Sequence, residues 1–226
     1  MKKIRILILI LIVSNYYKAQ IAGNNDSTFN YNDIGNGYGE AANGAIKALA
    51  IQSDGKILIG GDFTLYNTSS INRIVRLKSN GDIDTTFKMG SGVNASVNSI
   101  SVQSDGKIII AGNFTSYNGT PINRIIRLNS NGTIDASFNI GSGANALINT
   151  TTIQPDGNII IAGNFTTFNG VSKNYISRLT SNGAIDPTFV SGSGANGFIY
   201  ASAIQPDGNI LLAGVFTSYN STTSNR

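Results

Sequence analysis

The sequence predicts an all-β protein: a β-propeller, or a fragment of one, built from four-stranded antiparallel blades with a 51-residue repeat. Three observations carry that reading. Landmark residues recur at a fixed interval along the 226-residue chain. Each interval holds four short strand-like runs and two hairpin turns. The composition, with 26 Gly and 29 Asn, is rich in turn formers and only 12% charged. A disordered chain would be highly charged and poor in apolar residues, whereas this one is 41% hydrophobic.

The interval is read most directly from the pairs Asp54-Gly55, Asp105-Gly106, Asp156-Gly157 and Asp207-Gly208, each 51 residues after the last. Phe63, Phe114, Phe165 and Phe216 keep the same spacing, as do Leu77, Leu128 and Leu179, and Phe87, Phe138 and Phe189. In the second copy, 97–103 alternates apolar Ile100 and Val102 with Ser99 and Ser101, the period of a half-buried strand. Asp105-Gly106 supplies the positive φ that a tight hairpin demands. The second strand, 107–114, has an Ile-Ile-Ile-Ala core that is apolar at every position. Such a run suits a strand covered on both faces. The third strand is about 123–128, and Asn131-Gly132 turns it into a fourth at about 134–139. No helical apolar stripe of useful length occurs after the first twenty residues.

Four antiparallel strands in about 50 residues match the size of a propeller blade. A β-helix coil is much shorter and needs no pair of hairpins, while tandem sandwich domains need longer units. The units fall at about 44–94, 95–145 and 146–196, with a partial unit at 197–226 and a lone fourth strand at 23–30. That lone strand is recognised because Asp26-Ser27-Thr28-Phe29 aligns with Asp84-Thr85-Thr86-Phe87. At the other end, Asn225-Arg226 aligns with Asn123-Arg124, where a third strand should begin. The layout reads as a fragment of a longer propeller in preference to a nearly closed four-bladed ring, because an arc leaves apolar sheet faces uncovered and repeat arrays need capping.

The recurring S-D-G-K or P-D-G-N turn, followed by G-N-F-T, N-R-I-x-R-L, S-N-G-x-I-D-x-x-F and G-S-G-A-N, resembles the bacterial delta-60 repeat family. The resemblance extends over about 25–226. It implies a propeller-type fold in an exported, often surface-associated protein, and it implies no reaction. Kelch and WD repeats fit poorly, since the chain has no Trp and one Gly-Gly doublet, Gly60-Gly61.

The first twenty residues explain the charge. The chain carries 16 Lys plus Arg against 12 Asp plus Glu, a net +4. Lys2, Lys3, Arg5 and Lys18 account for the whole excess. A basic start, an apolar run over 6–13 and a small residue at Ala19 have the layout of a secretory signal peptide, 1–19, ahead of a mature domain at 20–226. The apolar run is too short to span a bilayer, which takes about 20 residues, and there is no Cys for a lipid anchor. Without this segment the chain is neutral, so the basic footprint of a nucleic-acid binder is missing. No membrane span is expected after signal removal.

With no His and no Cys, imidazole bases, thiol nucleophiles, disulfides and Cys/His zinc sites are excluded. Carboxylates are the remaining candidates. Eight of the twelve occupy repeat landmarks: Asp54, Asp105, Asp156 and Asp207 in the first turn, and Asp26, Asp84, Asp135 and Asp186 before Phe. A residue needed in every blade reads as structural. If Leu77 faces Ile83 across the second turn, then Arg76 faces Asp84, Arg127 faces Asp135 and Arg178 faces Asp186. Such cross-strand pairs contribute about 0.2–1 kcal/mol and help set register.

Asp33, Glu40, Asp62 and Asp82 have no repeat role, and a secreted polysaccharide hydrolase or lyase would draw on them. No catalytic, cofactor or metal site is assigned, and no cofactor is expected. Calcium remains a lesser alternative, without an EF-hand or G-G-x-G-x-D pattern behind it. The segment 192–197 matches G-x-G-x-x-G, but equivalents at 90–95 and 141–146 precede strands, so it is no dinucleotide loop. Tyr66, Tyr117, Phe168 and Tyr219 recur after the second strand, as rim packing in preference to sugar stacking. The expected function is a non-enzymatic, exported interaction or structural scaffold for an unidentified protein or glycan.

Overall fold

The 51-residue unit folds as a small antiparallel sheet, because its apolar runs are short and each is followed by a residue that accepts positive φ. This computed structural model describes Phe29 and residues 41–223. The first unit contains β1 (Ile46–Ile51), β2 (Ile57–Gly61), β3 (Leu65–Tyr66), β4 (Ser69–Ser70) and β5 (Ile74–Leu77). The second repeats it as β6 (Val97–Val102), β7 (Ile108–Gly112), β8 (Ser116–Tyr117), β9 (Thr120–Pro121) and β10 (Ile125–Leu128). The third gives β11 (Ile148–Ile153), β12 (Ile159–Gly163), β13 (Thr167–Phe168), β14 (Val171–Ser172) and β15 (Ile176–Leu179). The partial unit holds β16 (Ile199–Ile204), β17 (Ile210–Gly214), β18 (Ser218–Tyr219) and β19 (Thr222–Thr223). We call these units blades 1 to 4.

In blades 1 to 3 the sheet order is first, second and third long strand, with the second strand central. Among the described residues, blade 4 has two long strands, β16 and β17. The first hairpin turns at Asp-Gly. Gly55 has φ 80, its N–H donates to Gln52 O at 2.9 Å, and Asp54 Oδ1 accepts from Lys56 N at 3.2 Å. The three-residue loop with Gly in the left-handed region is the common choice after two-residue turns.

Two features depart from the sequence expectation. The fourth strand is reduced to one bridge per blade: Leu77 with Ile83, Leu128 with Ile134 and Leu179 with Ile185. The next residue ends the ladder, because Asp84 Oδ1 captures Thr86 N at 3.0 Å and Phe87 N turns back onto Asp84 O at 3.1 Å. An Asx turn of this kind competes with strand extension. The second departure is the two-residue hairpin β3–β4 and its equivalents, in a stretch whose sequence shows no strand alternation. Its turn is Asn118-Gly119 in blade 2, with φ 47 and 77. Both central residues are in the left-handed region, as a type I′ turn requires.

The blades fan out. First strands of neighbouring blades pack along one another, β1 on β6, β6 on β11 and β11 on β16. Their small hydroxyl residues permit the approach: Ser101 Oγ lies 2.7 Å from Thr151 Oγ1, and Thr152 Oγ1 lies 2.7 Å from Ser202 Oγ. Between blades lies the apolar core. Leu58 and Ile74 of blade 1 meet Val97, Ile100, Ile108 and Ile110 of blade 2. Ile109 and Ile125 of blade 2 meet Ile148, Ile159 and Ile161 of blade 3. Ile160 and Ile176 of blade 3 meet Ile199, Ile210 and Leu212 of blade 4. Successive residues of each second strand thus face opposite neighbours. This explains why β7 and β12 are buried at every position.

Candidate functional site

The charged residues of the repeat converge on joints within and between blades. In blade 1, Arg76 on β5 donates through Nε to Asp84 Oδ2 at 2.9 Å. The same pairs in blades 2 and 3, Arg127 with Asp135 and Arg178 with Asp186, are 2.7 Å each. The register forces this: Leu77 bridges Ile83, and Asp84 N donates to Arg76 O at 2.8 Å. Each guanidinium also lies over the following Phe ring, 4.7 Å from the Phe87 and Phe138 centroids and 5.1 Å from that of Phe189. A cation held over a ring in this way is attracted by the ring's negative face.

A second set of bonds carries the joint into the next blade. Arg76 Nη1 donates to Ser130 O of blade 2, and Arg127 Nη1 donates to Ser181 O of blade 3. Beside them, Lys88 N donates to Asn131 O at 2.7 Å and Asn139 N to Asn182 O at 2.8 Å. The Ser-Asn-Gly turn of one blade is therefore seated on the Arg–Asp–Phe cluster of the blade before it.

Electrostatics follow from this geometry. Burial works to raise the Asp84 carboxyl, but two hydrogen bonds from Thr86, with Arg76 and Lys56 beside it, outweigh burial and hold it below the usual value of 3.8. Asp135 is likewise held well down: burial opposes ionisation, and Ser137, Lys107 and Arg127 overcome it. Asp186 is lowered by its two bonds from Thr188 and then by Arg178. All three are kept as acceptors with a fixed charge. A general acid needs the opposite shift, upward toward neutral pH.

The turn acids are equally committed. Asp105, Asp156 and Asp207 each accept a backbone N–H two residues on, at 3.0, 3.0 and 3.1 Å. The landmark acid of the lone strand, Asp26, lies outside the described residues, as do Asp33 and Glu40 of the four acids without a repeat role. Asp62 pairs with Lys47 at 2.7 Å and accepts from Ser96 Oγ of blade 2; these two bonds lower its pKa. Asp82 accepts from Asn80 Nδ2 at 2.9 Å in the second turn. Asp62 follows the end of β2, whereas Asp82 follows β5, whose end lies beside the start of β2. About 13 Å of strand separates these positions, beyond the roughly 5–9.5 Å that paired-carboxylate glycoside cleavage uses. The structure does not bring them together.

The aromatic series resolves as packing. Tyr66, Tyr117 and Phe168 are buried, and Tyr117 donates its hydroxyl to Gly132 O at 2.7 Å. The G-x-G-x-x-G segment leads into strand β16, and Gly192 is glycine because a Cβ there would lie 1.9 Å from Asn220 Oδ1. Among the described residues, no group of three or more acids is placed to hold a metal ion.

One arrangement that the sequence reading missed organises the exposed rim. Asn94 Oδ1 accepts from Thr115 N at 2.8 Å and Ser116 N at 3.0 Å, while its Nδ2 donates to Thr115 Oγ1 at 2.8 Å. Asn43, Asn145 and Asn196 do the same in their blades. The signal was present: these Asn residues, and Thr64, Thr115, Thr166 and Thr217, keep the 51-residue spacing.

A family model described as a domain of unknown function, DUF5122, β-propeller, matches residues 52–87, 103–138, 154–189 and 205–226, more than half of the chain. The chain belongs to the DUF5122 β-propeller family. Each of the three full DUF5122 matches starts just after a first strand and stops at the Phe under the arginine, so it contains one Arg–Asp–Phe cluster. Comparison with curated proteins finds no match. Among solved structures, the chain is similar to the extracellular domain of a one component system from B. thetaiotaomicron, at 17% identity and TM-score 0.45, covering 74% of this chain and 19% of that one. It is similar also to the extracellular domain of a hybrid two component system from B. thetaiotaomicron, at 13% identity and TM-score 0.46, with coverage of 75% and 22%. A protein of unknown function from Bacteroides caccae matches at 14% identity and TM-score 0.32, with coverage of 61% and 46%. The chain thus spans about a fifth of the first two neighbours.

Proposed function

We propose that this chain is an exported, non-enzymatic propeller scaffold that presents its loops to a protein or glycan ligand. The observation that carries this reading is the fate of the repeated carboxylates. Asp84, Asp135 and Asp186 are each tied to an arginine, and Asp54, Asp105, Asp156 and Asp207 each hold a turn. Their charges go into the fold, and the exposed loops are left for recognition. Loops set on a rigid scaffold are where binding residues concentrate. The layout of 1–19 supports export, and the motif resemblance to delta-60 repeats supports a surface-associated setting. Neutrality after residue 20 argues against nucleic acid as the ligand.

The test is a panel of polysaccharides assayed for cleavage products, run beside a glycan array and a binding screen against envelope proteins. The scaffold reading expects binding without cleavage. Turnover that is lost on changing Asp33, Glu40, Asp62 or Asp82 to Asn or Gln would replace it with a polysaccharide hydrolase or lyase.

A further inference from the structure

The end of each blade opposite the Asp-Gly turns holds side chains that the fold does not account for. There the start of β1, the end of β2 and the start of β5 lie side by side, since Ile46 pairs with Gly61 and Gly60 with Ile74. Arg73, just before β5, has φ 64, and its counterparts Arg124 and Tyr175 have φ 69 and 67. The backbone imposes this conformation: Arg73 N donates to Phe63 O at 2.9 Å, and Arg73 O accepts from Gly61 N at 3.0 Å. Glycine is the default residue at such a position. A bulky residue held there is an outlier, and it points to a use for the side chain.

Two polar atoms at the same end, Arg124 Nε and Asn98 Oδ1, are buried without a hydrogen bond. Arg124 is anchored through Nη1, to Asn113 O and, at 2.7 Å, to Asn113 Oδ1. Asn98 occupies on β6 the place of Asn149 on β11, where the amide reaches Asn164 Oδ1 at 3.0 Å. At the junction of blades 3 and 4 the arginine is replaced by Tyr175. Its ring meets Phe198 edge to face, with centroids 5.7 Å apart, and Phe198 is 40% exposed. Charge is segregated as well. Among the described residues, every acid except Asp62 lies toward the turn end, whereas Lys47, Arg73, Arg124 and Lys173 lie at this one. No described acid is within ion-pair distance of Arg73, Arg124 or Lys173.

We propose that this end of the blades binds an acidic polysaccharide, a polymer of uronate sugars. Arg73 and Arg124 take its carboxylates, and the Tyr175–Phe198 pair takes the apolar face of a sugar ring. The inference rests on the reading of the chain as a binding scaffold and names a ligand class for it. A guanidinium fork matches a carboxylate bidentately. Amides such as Asn113 and Asn164 both donate to and accept from hydroxyls, and the negative face of an aromatic ring attracts C–H groups. Hydroxyls and C–H groups alternate on a sugar ring, which suits amides beside aromatic faces better than an acidic peptide does.

Purified chain is titrated calorimetrically with polygalacturonate, with its fully methyl-esterified form and with polyglutamate. Polygalacturonate is expected to bind, and the other two at least about tenfold more weakly, since each loses one class of contact. Arg73→Gly and Arg124→Gly should each weaken polygalacturonate binding about tenfold or more. Glycine suits a φ near 65, so their urea midpoints should stay close to that of the wild type; Arg124→Gln is the second variant should a glycine variant unfold early. Phe198→Ala should weaken binding too, and Lys78→Ala at the turn end should leave it unchanged. Asp62→Asn installs the residue that blades 2 and 3 carry there, frees Lys47 from its partner, and should tighten binding about two- to fivefold. No binding of polygalacturonate, equal binding of the ester or of polyglutamate, or binding untouched by the arginine and Phe198 variants overturns the proposal. In those cases the scaffold reading stands if its own screens find another glycan or a protein. Cleavage of polygalacturonate overturns both.

Discussion

Gly132 and Gly119 offer a matched test of the joint between blades. Both are in the left-handed region, at φ 88 and 77. An added Cβ at Gly119 would meet nothing within 4 Å, whereas at Gly132 it would lie 2.9 Å from Lys88 N and 3.0 Å from the Phe87 ring, both on the preceding blade. The backbone of Lys88 cannot retreat without losing its bond to Asn131 O. Alanine in the left-handed region costs about 1–2 kcal/mol, and that term is common to both variants. Forcing a methyl into a filled contact adds about 1–3 kcal/mol. Gly119→Ala should therefore lose about 1–2 kcal/mol, and Gly132→Ala about 2–5 kcal/mol. Urea unfolding followed by circular dichroism, with midpoints converted by linear extrapolation, resolves the difference. Melting should agree, at about 2–4 °C per kcal/mol for a domain of this size. Equal losses in the two variants would mean that the Ser-Asn-Gly turn does not bear on the preceding blade.

Further expectations follow from the same contacts. Asp54, Asp62, Asp84, Asp135 and Asp186 all have folded pKa values below the usual 3.8. Their stabilisation is complete above that value and is lost as pH falls through the folded values. With no His in the chain, the melting temperature should be flat from about pH 5 to 8 and fall below about pH 4; a transition centred near pH 6.5 in a pH series of melts would contradict this. Tyr117→Phe leaves Gly132 O without its buried donor and should cost about 1–3 kcal/mol by urea unfolding. Phe168→Tyr at the equivalent place in blade 3 should then be tolerated or mildly stabilising. The reverse order of effects would show that the hydroxyl contributes nothing.

Much of this was legible in the sequence, because a 51-residue period turns local patterns into a global arrangement. The apolar core of 107–114 foretold a strand covered on both faces, and β7 is buried throughout. Placing Leu77 against Ile83 was enough to place Arg76 against Asp84. The fourth strand failed because Asp84 was weighed as a pairing partner and not as the Asx residue that ends the ladder. The hairpin at Asn118-Gly119 was missed although Asn-Gly is a strong hairpin signal; with two-residue strands there is no alternation to detect. The second arginine bond, from Arg127 to Ser181, joins residues 54 apart, and no local pattern announces it.

The central claim is that the repeated carboxylates are structural joints. A double-mutant cycle of Arg127→Met and Asp135→Asn measures this directly. The pair is 2.7 Å apart with both side chains under 10% exposed. Each single substitution takes a buried charge away from its closest counter-ion, with Lys107 still 3.2 Å from Asp135, and should cost about 3 kcal/mol. The double substitution should cost clearly less than the two together, with a coupling energy of about 1–3 kcal/mol. Additivity within about 0.5 kcal/mol would contradict the account: Arg127 and Asp135 would be neighbours without being a joint.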